Sequence, residues 1–183
     1  MDSHTDSASA AQDADNVYLW RMPSRRMEAE VVRDSVLALS GRLDPKLGGP
    51  ELDQTAGLTT FRRSVYYRHA NEKQMTFLLI FDAASANECY QRPSSIVPQQ
   101  ALALANSPLT REASKLLAKD LSDQSGSDDA AFISVAFLHL LSRPPTEEES
   151  SECATFLSGR PTTNARESLI HVLFNHHDFV TVH

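Results

Sequence analysis

From Ser24 onward, apolar positions Val32, Val36, Leu39 and Leu43 recur at spacings of four, three and four, the stripe of an amphipathic helix over Ser24 to Ser40. Pro23-Ser24 opens it, and Gly41 stands where a left-handed cap residue belongs. The opposite face carries Arg25, Arg26, Glu28, Glu30 and Arg33. Thr59 to His69 (TTFRRSVYYRH) is rich in β-branched and aromatic residues and predicts a short strand. Met75 to Phe81 (MTFLLIF) is too short for periodicity to decide, and is read as a short helix or an irregular segment.

From Pro98 the helical pattern strengthens. Pro98 to Asn106 favours helix, with proline acceptable in a first turn. Ser107-Pro108 restarts the chain as an N-cap followed by proline at the first helical position, and Leu109, Ala113, Leu116, Leu117 and Leu121 form one apolar face. A polar loop, Ser122 to Asp129, precedes Ala130 to Leu141, which is apolar nearly all round and predicts a central, buried helix. Thr146 and Glu149 form a capping box for a helix running to Leu157 and stopping at Gly159. A last helix opens near Asn164 and Glu167 and continues through Leu169, Val172 and Leu173. The expected fold is mainly α, with a bundle-like C-terminal half of about four helices, an N-terminal helix and a small irregular or β-containing middle segment. Val65, Leu78, Leu79, Val135, Phe137, Leu140, Leu173 and Phe174 are the expected core.

Charge then narrows the function classes. With 17 Lys and Arg against 24 Asp and Glu, the net charge is −7, which argues against a nucleic-acid footprint. No stretch approaches the ~20 apolar residues of a membrane span. Residues 1–15 hold four Asp and no Lys or Arg, and are expected to form a disordered acidic tail before a single domain over 16–183. They lack the basic and apolar regions of a secretory signal, so the chain as it stands is expected in the cytoplasm.

Few residues carry sequence-local chemistry. Cys89 and Cys153 make no zinc, haem or redox motif; they are read as buried or half-buried thiols, and whether they pair stays open. His171, His176, His177 and His183 miss the i, i+4 spacing of a helical metal site, and are read as a solvated, fraying helix end. His139 is read as a satisfied core histidine, and His69 has no paired acid nearby in sequence. No nucleophile elbow, phosphate loop or HExxH motif occurs, so no catalytic residue, metal ligand or cofactor is assigned. The one polar constellation beside strongly apolar segments is Arg62, Arg63, Asp82 and Arg92, with Gln99, Gln100 and Asn106 following. It is either an Arg–Asp network that fixes an irregular core or a pocket for an anionic or hydroxyl-rich ligand.

The order of these segments is distinctive: Trp20-Arg21-Met22, RRMEAEVVRDSVLALSGRLD, GGP, RRSVYYR, an apolar run ending FDA, a Cys, Arg-Pro-Ser-Ser, PQQALALANSP, LLSRPPTEEE and a last helix ending DFV. It resembles the planctomycete-specific domain of unknown function of the PSD-one type, over Asn16 to His183. The resemblance implies the C-terminal part of a larger exported or cell-envelope bacterial protein, preceded by a second planctomycete domain and often by a cytochrome c-like domain. It implies no activity and no catalytic residues. This chain reads Ser94-Ser95-Ile96-Val97-Pro98-Gln99-Gln100-Ala101-Leu102 where the family has Thr-rich residues and Pro-Leu-Gln-Ala-Leu, and Ala105-Asn106-Ser107-Pro108 where Leu-Asn-Asp-Pro is usual. Because it starts almost directly at the domain, it is expected to be a truncated reading frame, a fragment or a degenerate copy.

Three functions follow. The first is a non-catalytic structural or interaction module. The second is an enzyme domain, or part of one, acting on polysaccharides or their sulfated groups, with Arg62, Arg63 and Arg92 binding anions and Asp82 as acid or base. The third is a docking partner of a cytochrome c-like domain, steered by negative charge.

Overall fold

The structure is a computed structural model that describes residues 6–87, 95, 98–159 and 162–182. The chain is mainly α, with eight α-helices among those residues. Helix α1 (Ser7–Gln12) is capped by Asp6 and buries none of its residues. Strand β1 (Arg25–Arg26) precedes α2 (Ala29–Leu39). The predicted helix therefore starts late, because β1 pairs antiparallel with β2 (Thr181–Val182), placing Arg25 opposite Val182 and Arg26 opposite Thr181. That ladder returns the C-terminal end of the described chain to the start of the fold. Gly41 takes the left-handed conformation its position predicts, at φ +68°.

Thr59 to His69 is not a strand. It makes only isolated bridges, Asp44 with Arg62 and Leu52 with Tyr67, and Ser64–Tyr66 is a 3₁₀ turn. The physical reason lies on α2: the Asp34 carboxylate accepts from the Ser64 N–H at 2.8 Å and from the Ser64 hydroxyl at 2.6 Å. A donor captured by a side chain is lost to a sheet ladder. Helix α3 (Thr76–Ile80) realises the short-helix reading of the apolar run.

Five helices follow: α4 (Pro98–Asn106), α5 (Pro108–Ser125), α6 (Asp129–Leu141), α7 (Glu147–Ser158) and α8 (Thr162–Phe174). Ser107 caps α5 by accepting from the Leu109 N–H at 3.1 Å. Leu109, Ala113, Leu117 and Leu121 bury one stripe of α5, which packs against α2, α4, α6 and α8 and is the axis of the fold. The capping box of α7 forms as predicted between Thr146 and Glu149. Phe174 and Phe179 close the core edge to face, ring centres 5.0 Å apart.

Helix α6 is not buried all round: Ser134, Leu138 and His139 are exposed, so His139 is a surface residue and not a core one. The helix lies against α5, α7, α8 and the 3₁₀ turn His177–Val180, and these do not enclose it. Of the expected core, Leu78, Phe137, Leu140, Leu173 and Phe174 are buried and Val135 packs against it, but Val65 is 65% exposed and Leu79 46% exposed. Val65 follows Ser64, which Asp34 holds, and Leu79 lies on the outer face of α3, whose inner face is Phe77 and Leu78.

Ser142 ends α6 in the left-handed region, at φ +57°. A side chain there crowds the following carbonyl. Ser142→Gly is therefore expected to raise stability by about 0.5–1 kcal/mol. Urea denaturation would show a higher midpoint at unchanged slope; a lower midpoint would contradict the strain.

Candidate functional site

Arg62 and Asp82 each take backbone partners, in two separate places. Arg62 donates to the carbonyls of Pro50, at 3.1 Å, and Gly48, and lies 3.9 Å over the Tyr66 ring. Arg63 is half exposed, its Nε 3.6 Å from Asp34. Asp82 instead accepts from the Ser95 N–H at 2.7 Å, the Ser95 hydroxyl at 2.8 Å and the Gln100 amide at 3.3 Å. Arg26 joins this second group, donating to the Ser95 carbonyl at 2.9 Å and to Gln100 Oε1. Asp82 itself sits at φ +59°, a conformation Asp tolerates better than most residues. The expected Arg–Asp network is thus two networks. Arg92 and Cys89 lie outside the described residues.

The residue that organises the first network is Arg33, which the sequence pattern places on the charged face of its helix. It is fully buried, at 0% exposure. Positions 29, 32, 33, 36 and 37 form the inward stripe of α2, and Arg33 falls within it. Its guanidinium donates to the Arg62 carbonyl at 2.9 Å, to the Ser64 hydroxyl at 3.2 Å and to the Thr60 carbonyl, beside Asp34 at 3.6 Å. Burial pushes Arg33 below the ordinary guanidinium value, opposed by Tyr67 and Asp34. Burial also raises the Tyr67 phenol, opposed by Arg33, and that hydroxyl donates to the Gly57 carbonyl.

Between the two networks lies a cleft of about 290 Å³. Ser64 and Val65, directly after Arg62-Arg63, form part of one wall; Ala83 and Ala84, directly after Asp82, form part of another. Arg62 and Asp82 do not line the cleft but bind backbone beside it. Its floor is apolar and buried, from Tyr67, Met75 and Leu78. Its rim carries Arg68, His69 and Gln74.

Two other arginines tie helices together, one buried and one part-exposed. Arg166, on α8, donates to Asp129 at 2.7 Å and to the Gly126 carbonyl at 2.8 Å, fixing the α5–α6 turn. Arg143 clamps Glu149 with two bonds of 2.8 and 2.7 Å, and reaches Asp178 at 2.8 Å. That fork, with the Thr146 N–H, holds Glu149 down at about 2, and both carboxylates raise Arg143. The Cys153 thiol is pushed up by burial and by Glu149 and Glu152, the reverse of an activated nucleophile.

His171 and His176 are not part of a fraying end. His171 bridges helices, with Nδ1 3.3 Å from the Ser114 hydroxyl and Nε2 2.9 Å from the Ala105 carbonyl. His176 caps the 3₁₀ turn His177–Val180, with Nδ1 accepting from the Asp178 N–H at 3.2 Å. His183 lies outside the described residues. No group of three or more His, Cys, Asp or Glu among the described residues is placed to hold a metal ion. None of the described helices is long and apolar enough to cross a membrane.

Fold and site together define a helical domain whose irregular middle segment is pinned by buried arginine and Asp–Ser–Gln clusters around a small cleft. The chain belongs to the PSD1 family, described as a protein of unknown function (DUF1553), whose model matches residues 1–157. The match includes the acidic first residues and ends in α7, before α8. No curated protein and no solved structure matches the chain significantly.

Proposed function

We propose that the chain is a non-catalytic structural or interaction module, the C-terminal domain of a larger exported protein, which presents its braced middle segment to a neighbouring domain. One observation supports this reading: the side chains that hold the middle segment, Arg26 from β1, Arg33 and Asp34 from α2, and Arg62 and Asp82 within it, are engaged with backbone. Arg33, Arg62 and Arg26 donate to main-chain carbonyls, and Asp34 and Asp82 accept from main-chain N–H groups. A guanidinium fork tied to carbonyls fixes chain direction and has little donor capacity left for a substrate. The planctomycete setting and the cytochrome c-like neighbour come from the sequence resemblance, as does export. A net charge of −7 favours a partner with a basic face.

Alanine substitution tests the bracing. Asp82→Ala is expected to lower stability by about 1–2 kcal/mol, because it strands the Ser95 N–H, and Arg62→Ala by about 0.5–1 kcal/mol, because its exposed carbonyl partners turn to water. Arg63→Ala, half exposed, is expected to change it by less than about 0.5 kcal/mol. A triple variant that melts at the wild-type temperature would remove the bracing account.

A further inference from the structure

We propose that the cleft binds a small carboxylate carrying an apolar body, such as an arylalkanoate. Its volume, about 290 Å³, lies at the small end of the range for ligand pockets, and its composition, an apolar floor with a few polar groups, is that of such pockets. The balance of donors and acceptors selects the ligand's charge. Ser64 is engaged with Asp34 and Arg33, and the Tyr67 hydroxyl with the Gly57 carbonyl. Glu30, the acidic residue of the lining, already has an interaction of its own.

What remains unengaged is mainly donor capacity. His69 and the Gln74 amide have no side-chain partner among the described residues. Arg68 pairs with Glu51, Nε to carboxylate at 3.7 Å with both side chains exposed, a contact that contributes little, and its charge also acts on Asp53. Its two terminal nitrogens make no hydrogen bond among the described residues and form a fork suited to a carboxylate. A ligand that places its carboxylate at Arg68, His69 and Gln74 lays its apolar body on Met75, Leu78 and the exposed face of Leu79. The site does not depend on the module reading: bracing is read from the melt of the free chain, and the site from binding.

The test titrates the full chain with phenylpropanoate and, in parallel, with its neutral amide, followed by amide and methyl NMR. The acid is expected to bind with a Kd of about 1 mM, the scale for a ligand of this size. The shifts should centre on Val65, Gln74 and Leu79. The amide, and the acid against Arg68→Gln, should each bind at least about tenfold more weakly. Arg68 is exposed, so the variant is expected to retain the wild-type melt, which is checked alongside. Equal binding of acid and amide overturns the carboxylate assignment. No shift at about ten times the expected Kd, or shifts confined to another surface, overturns the site.

Discussion

Arg33→Ala is expected to lower the unfolding free energy by about 3–5 kcal/mol, the scale for removing one partner from a buried charged network. The substitution leaves the Thr60 and Arg62 carbonyls without their donor, exposes Asp34 to a loss of countercharge and opens a cavity against Tyr67. Methionine in its place restores most of the volume but none of the donors, so Arg33→Met separates packing from hydrogen bonding. Lysine is not a conservative exchange: a single ammonium cannot serve carbonyls and hydroxyl in the planar geometry of the fork. In thermal denaturation the alanine variant should melt roughly 10 °C below wild type. A loss under about 1 kcal/mol would mean that the carbonyls find water instead, and that the middle segment is not held from α2.

The second large effect is acid sensitivity at the α6–α7 connection. Glu149 titrates at about 2 in the folded chain against an ordinary value of 4.5. Between those values the unfolded state binds the proton and the folded state does not, so stability rises with pH. The contribution is complete above about pH 4.5 and is lost as pH falls through about 2. Glu149 is one-quarter exposed and Arg143 one-third. The full shift is therefore discounted to a contribution of about 2 kcal/mol. Glu149→Gln is expected to lower stability by that amount at neutral pH and to flatten the dependence between pH 4.5 and 2. Urea melts of both proteins at several pH values measure it. A constant difference down to pH 2 would show that the Arg143 clamp is not the source of the shift.

Where the determining contacts are local, the fold was legible in the sequence. Ser107-Pro108 and the Thr146–Glu149 box name helix starts within four residues, and both form. The failures have one cause. Thr59 to His69 has strand chemistry, but Asp34, some thirty positions earlier, takes the Ser64 N–H that a ladder would need. Arg33 sits on the apolar stripe of α2, yet a pattern that counts arginine as polar turns that one residue outward. The signal that finds it is positional: four residues after Ala29 and three before Val36. Asp82 was legible as a residue needing a partner, but its partners come from Ser95 and Gln100 and not from Arg62 or Arg63. The cleft was not legible, because its lining follows the charged residues by one or two positions and meets only in the fold.

The most direct test of bracing by side chains is native-state hydrogen exchange at two amides, Ser64 and Ser95, which are bonded to the Asp34 and Asp82 carboxylates at 2.8 and 2.7 Å. In wild type both should be protected well beyond exposed amides that make no hydrogen bond. In Asp82→Ala, Ser95 should lose its protection while Ser64 keeps it, because the two networks are separate. Protection at Ser95 unchanged by loss of Asp82 would contradict the account.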